Sequence, residues 1–224
     1  MKATIFEQCQ KLFPEWANSS MANFNFDDPK GFSSFTMGLR SKKRGQPTAV
    51  LYRRLEGKEN AILDYETEKE LFLTLGAQNI AAHCYYYDDV CRIEAFYQGR
   101  TLQAADLFDP ENLRKIGNEL YRFHQLRPAN LPNKMFFELL HEKWGQMAKM
   151  VLEEKIDAFP ANEQRMCEEL REIYAPQTFA KVKRCLPEGE LTFCHNDTYH
   201  GNIMKLESGE IKLLDFEFSC LNNK

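Results

Sequence analysis

The chain has 224 residues, 43% of them hydrophobic, which is enough for one large domain or for two small lobes sharing a cleft. A net charge of -4 and a pI near 5.8 leave no basic footprint for nucleic acid. No apolar run approaches the roughly 20 residues of a membrane span, and the early charges leave no signal-peptide core. The seven cysteines form no Cys-x-x-Cys pair and are odd in number, the pattern of a reduced, cytoplasmic protein.

Residues 1–17 read as a short helix with Ile5, Cys9, Leu12 and Phe13 on one face. Alternation from Ser20 to Phe26 predicts a strand, and Asp27 to Gly31 is a turn signal. Phe35 to Arg40 and Ala49 to Leu55 predict two further strands around a polar loop, so the sheet is antiparallel. Asp64 to Leu75 reads as a helix that stops near Gly76. Ala82–Tyr87 and Cys91–Phe96 flank Asp88-Asp89 like a hairpin, and Gly99-Arg100 breaks the pattern.

Asp109-Pro110-Glu111 starts a helix: Asp caps, Pro suits the first turn and Glu meets the dipole. Its spacing holds until Pro128, and Phe136 to about Phe159, Asn162–Tyr174 and Gln177–Leu186 are further helices. Two short strands carrying polar residues close the chain. The order predicts an α+β fold with a small antiparallel-sheet lobe, 1–96, against a mainly helical lobe, 97–224. A cleft between such lobes is where ligands usually bind.

The chemistry concentrates at the two last strands. One apolar run ends in Phe193-Cys194-His195-Asn196-Asp197, and Asn202 follows the Asp by five positions. A second ends in Leu213-Leu214-Asp215-Phe216-Glu217. Asp197 suits a base that accepts a hydroxyl proton as the oxygen attacks phosphorus. Asn202 and Asp215 offer the hard oxygens that Mg²⁺ takes. His195 reads as a scaffold for the loop rather than a base. Together they make the equipment of phosphoryl transfer, whose catalysis is mostly positioning and charge neutralisation.

These two segments resemble the choline/ethanolamine kinase family, within the aminoglycoside-phosphotransferase and protein-kinase-like group. The resemblance implies a bilobal protein-kinase-like fold and an ATP- and Mg²⁺-dependent phosphotransferase. Its substrate would be a small amino alcohol, choline or ethanolamine, on the route to phospholipid precursors. It also implies that a basic residue after Val50-Leu51-Tyr52 reaches the nucleotide phosphates. Arg53 and Arg54 both qualify, on opposite faces of the strand, and Arg53 fits the preceding residues better. Glu68, four positions before Phe72, would pair with that residue.

Gly31-Phe32-Ser33-Ser34 stands where the family has a phosphate loop, so Ser33 and Ser34 join the nucleotide set. Ile93-Glu94-Ala95-Phe96 resembles the adenine-meeting segment between the lobes, which adds Glu94 and Phe96. His124 is expected to be a packed structural histidine. Tyr199 stands where many choline kinases have Gln, and it would either meet a cationic headgroup by cation–π attraction or simply cover the loop. Glu217 would assist the metal or the substrate cation.

The family usually continues for roughly a hundred residues of helical lobe past the position of Lys224. The expectation is therefore a truncated fold: a fragment, a shortened gene product or a compact variant. A non-catalytic nucleotide-binding or interaction protein and an aminoglycoside-type phosphotransferase are the alternatives. Monomer and homodimer are both left open.

Overall fold

A computed structural model describes residues 1–28, 35–43, 46–55, 63–153, 159–187 and 189–223. Five strands form one antiparallel sheet: β1 (Phe24–Phe26), β2 (Thr36–Ser41), β3 (Ala49–Arg54), β4 (Cys84–Tyr87) and β5 (Cys91–Ala95), in the order β1-β2-β3-β5-β4. Helix α1 (Lys2–Leu12) lies on the face where Val50, Tyr52 and Ile93 are buried. Phe13, Trp16 and Phe24 complete that core, with the Trp16 and Phe24 rings 4.5 Å apart. Pro14 ends α1 early, so the expected helix to residue 17 is α1 followed by a single 3-10 turn. The expected strand from Ser20 shortens for a similar reason. Ser20 and Asn23 cap a 3-10 turn over Met21–Asn23, and only Phe24–Phe26 reach the ladder.

Helix α2 (Tyr65–Ala77) starts where Asp64 accepts the Thr67 N–H at 3.0 Å. Helix α3 (Pro110–His124) starts likewise, with Asp109 accepting the Glu111 N–H. Helices α4 (Phe136–Leu152), α5 (Ala161–Ile173) and α6 (Pro176–Cys185) follow. Among the described residues no helix is long and apolar enough to cross a membrane.

The C-terminal strands differ most from expectation. The strand ending at Cys194, β7 (Leu191–Cys194), pairs with β10 (Cys220–Asn223). The strand before Asp215, β9 (Ile211–Leu213), pairs with β8 (Ile203–Leu206), which also pairs with β6 (Gly99–Thr101). The two strands expected to close the chain therefore lie in two different small sheets. Gly99, expected to break the pattern, is strand: a Cβ there would collide with the Lys205 carbonyl, so only glycine allows the approach. A second core joins both small sheets to α2 and α3 through Leu71, Leu75, Phe123, Phe193, Ile203 and Leu213.

Candidate active site

The two apolar runs do place their polar ends side by side, and α3 is what holds them. The buried Phe123 ring stacks on Phe193 at 4.6 Å and on Phe216 at 5.9 Å. One aromatic layer thus fixes the end of β7 and the turn after β9 against the same helix. Thr192 adds a hydrogen bond to the His124 carbonyl at 2.9 Å, tying β7 to the end of α3.

After Cys194 the chain makes a tight turn, with Asn196 in the left-handed region at φ 62°. Its own side chain pins the turn. Asn196 Nδ2 donates to the Phe218 carbonyl at 3.0 Å, and Oδ1 accepts from Asn222 at 2.8 Å. His195 is 1% exposed. Its Nε2 lies 2.8 Å from the Leu214 carbonyl, which can only accept, so that nitrogen carries the proton. Nδ1 accepts the Asp197 N–H at 3.3 Å. Burial is the leading cause that lowers the His195 pKa below its ordinary value. A neutral imidazole therefore bridges the Asp197 loop to the residue before Asp215, in the scaffold role expected of it.

Asn202 ends a 3-10 turn, His200–Asn202, and is buried. Its Nδ2 donates to Asp197 Oδ2 at 2.7 Å and to the Asp197 carbonyl at 3.1 Å. Both amide protons are thereby used, which leaves Oδ1 as the group's acceptor for an outside partner. The Asn202 carbonyl accepts the Leu214 N–H at 2.8 Å. Asp215 follows in the left-handed region at φ 63°, a conformation costly enough in a non-glycine residue to mark the turn as specified. The amide oxygen of Asn202 and the carboxylate of Asp215 fit a Mg²⁺ ion by donor chemistry. Two protein oxygens are also the usual protein share where substrate phosphates complete the shell.

Asp215, Glu68, Asp197 and Arg53 all lie within electrostatic range of Glu217. Burial pushes the Glu217 carboxyl up to about 7, and the negative charges of Asp215, Glu68 and Asp197 act the same way while Arg53 opposes them. The sheet face, helix α2 and the turns after β7 and β9 thus converge on one place. A cavity of about 150 Å³ opens there, lined by Leu51, Arg53, Glu94, Phe96, Tyr97 and Asp215 among others.

Register places the two arginines of β3. Leu51 and Arg53 share the cavity face, whereas Val50 and Tyr52 enter the opposite core. Arg54 lies over the Phe35 ring, 5.4 Å from its centre, on that opposite side. Phe96 lines the cavity and carries the Arg40 guanidinium 4.5 Å over its ring. The Glu94 side chain is engaged within the protein, its Oε2 2.7 Å from Arg92 Nε, with both side chains 8% exposed. Tyr199 is 52% exposed. Its ring covers Gly201, where an added Cβ would come within 2.5 Å of it. Ser33 and Ser34 lie outside the described residues.

Arg92 is the site residue that sequence reasoning passed over. The signal was there: Arg92 and Glu94 are two apart in an otherwise apolar run, so they face the same side of a buried strand.

A model of the choline/ethanolamine kinase family matches residues 30–224. The chain belongs to the choline/ethanolamine kinase family. It is 25% identical over 223 residues to a probable ethanolamine kinase of Arabidopsis thaliana, covering 97% of this chain and 58% of the relative. It is 30% identical over 134 residues to the probable choline kinase 2 of the same plant, covering 58% and 35%. The crystal structure of a choline kinase from Cryptosporidium parvum superposes with a TM-score of 0.73 at 18% identity, over 99% of this chain and 66% of that one. The fold is thus the family's mixed α+β, protein-kinase-like one. The chain spans about a third to somewhat over half of the length of the two Arabidopsis relatives.

Proposed function

We propose that this chain carries out ATP-dependent phosphorylation of the hydroxyl of a small amino alcohol, choline or ethanolamine, as a step toward phospholipid precursors. The observation that carries the reading is the joint placement of Asp197, Asn202 and Asp215 beside a cavity whose other wall bears Arg53. Residues 1–96 then serve as the nucleotide lobe, and 97–224 as the part of the helical lobe that bears the catalytic turns. Seven free cysteines suit a reducing cytoplasm.

In this reading Asp197 accepts the proton of the acceptor hydroxyl. Its Oδ2 is already oriented by Asn202, so the carboxylate presents a defined second oxygen to that hydroxyl. Asn202 Oδ1 and Asp215 would hold Mg²⁺, which would supply charge neutralisation on the phosphates. Arg53, on the cavity face, draws the nucleotide phosphates, with Glu68 as its carboxylate counterpart. The backbone around Phe96 meets the base, because the Glu94 side chain is held by Arg92. Tyr199, exposed beside Asp197, offers its ring to the substrate ammonium group. Glu217 adds a carboxylate to the same end of the site.

The experiment is ADP release coupled to a spectrophotometric readout, with choline, ethanolamine and an aminoglycoside as acceptors. Turnover with an amino alcohol alone is expected. A folded protein that releases ADP with none of them, or with the aminoglycoside alone, overturns the reading.

A further inference from the structure

Arg92 sits on β5 directly opposite Arg53 on β3. Directly opposed residues of an antiparallel pair project from the same face, and like charges so placed repel. Here the repulsion has a structural answer. Arg92 is 7% exposed, and its Nε holds Glu94 at 2.7 Å. Its guanidinium carbon lies over the Phe72 ring of helix α2, 3.5 Å from the ring centre. Glu68 is one helical turn before Phe72, on the same face of α2. Arg92 feels the charges of both Glu94 and Glu68. Glu68 therefore lies within the field of the deeper Arg92, and Glu68 and the cavity-facing Arg53 both act on Glu217.

We infer that Arg92 is a positioning residue for the nucleotide-phosphate grip: it anchors α2 through Phe72 and holds Glu68 in place opposite Arg53. The assignment rests on the proposed nucleotide reading of Arg53 and Glu68. Its logic is a division of labour. A phosphate group entering the cavity competes with Glu68 for Arg53. Arg92 is committed to Glu94 and buried against Phe72, so it stays where it is and keeps Glu68 from following or drifting. Arg53 can then turn to the phosphates while α2 keeps its place. Lys would not replace Arg92 fully, since a point charge lacks the plane that covers Phe72 while a second edge meets a carboxylate.

The test is calorimetric binding of Mg²⁺–ADP and, separately, of adenosine to the full chain. Wild type, Arg92→Gln, Arg92→Lys, Glu68→Gln and the Arg92→Gln/Glu68→Gln double variant are compared, with Arg54→Gln as a control on the opposite face. Arg92→Gln is expected to weaken ADP about tenfold while adenosine is unchanged, the scale of coupling between residues in contact. Arg92→Lys should recover part of that loss. In the Glu68→Gln background the Arg92→Gln effect should shrink, and Arg54→Gln should leave ADP affinity at the wild-type value.

Equal weakening of ADP and adenosine would mean that Arg92 merely keeps the cleft folded, and the inference falls. It falls also if the ADP effect is as large without Glu68 as with it. Should Arg92→Gln fail to fold, the Arg92→Lys ratio of ADP to adenosine affinity decides alone: an unchanged ratio overturns the assignment. A wild-type chain that binds ADP no better than adenosine overturns the phosphate grip itself, and that outcome is distinct from the others.

Discussion

The segment from β7 to β10 and the segment from α4 to α6 are built on different terms. In the first, almost every turn is pinned twice: His195 by Leu214 and Asp197, Asn196 by Phe218 and Asn222, Asn202 by Asp197 and Leu214. Phe193, Ile203, Ile211, Leu213 and Phe216 are buried beneath. In the second, three helices bury only Leu139, Ala148 and Cys167 between them, and α6 buries none. Trp144, Met150, Met166 and Ile173 stand exposed on them. Hydrogen-bonded turns are concentrated around Asp197, Asn202 and Asp215, and burial is thin across α4 to α6. Local stability should follow the same gradient, since opening free energy tracks buried apolar contact.

The most forceful way to break this contrast is at its chemical centre. Asp197→Asn should lower kcat by about 10²–10⁴-fold, the usual worth of a positioned base. Binding of ADP should be retained, because Asp197 is assigned to the acceptor and not to the nucleotide. Coupled ADP release and calorimetry on one preparation read both. A variant with near wild-type kcat would remove Asp197 from the base role and leave the pinned turns without their explanation.

Next in size is the aromatic layer under the turns. Phe123→Ala removes the ring that touches Phe193, His195 and Phe216 at once. Loss of a fully buried Phe costs about 3–5 kcal/mol. Denaturant unfolding measures it, and a cost under about 1 kcal/mol would show that α3 does not hold the turns after β7 and β9 together.

A smaller effect comes from His195. Its folded pKa is lowered, chiefly by burial, while an unfolded histidine titrates near 6.5. Below that pH the unfolded chain binds a proton that the folded chain resists, so the contribution of this group to stability is present above about 6.5 and lost as pH falls. Wild type should therefore lose melting temperature more steeply than His195→Gln between about pH 7 and 5. Parallel slopes for the two proteins would mean that His195 is not held neutral.

How far these regions can be read from residues alone differs for physical reasons. The ends of β7 and β9 are legible because apolar runs stop abruptly in His195-Asn196-Asp197 and Asp215-Phe216-Glu217. β10 is not, because Cys220-Leu221-Asn222-Asn223 has no strand pattern and its place is set by pairing with β7, nearly thirty residues back. β6 is hidden the same way, behind a glycine that long-range contact with Lys205 explains. The choice between Arg53 and Arg54 needs the parity of β3, and Val50-Leu51-Tyr52 is apolar throughout, so alternation cannot be seen there. Both arginines become distinguishable only when a core on one side and a cavity on the other tell the faces apart. The Arg92–Glu94 pair shows the complementary case: its spacing was visible, but its partner ring on α2 was not.

The smallest effect is the one that tests the other half of the contrast. Trp144 on α4 is 45% exposed. Substitutions at such positions change stability within about 0.5 kcal/mol, so Trp144→Ser should barely move the denaturant midpoint. Hydrogen exchange on the same protein should show α5 and α6 amides opening well before those of β7 and β10. If Trp144→Ser instead costs as much as Phe123→Ala, the ring is buried against something in solution. The α4–α6 surface would then be a covered one, and its thin burial a property of the isolated chain. Equal exchange rates in the two regions would argue that one cooperative unit spans both, which the sparse packing of α6 gives no reason to expect.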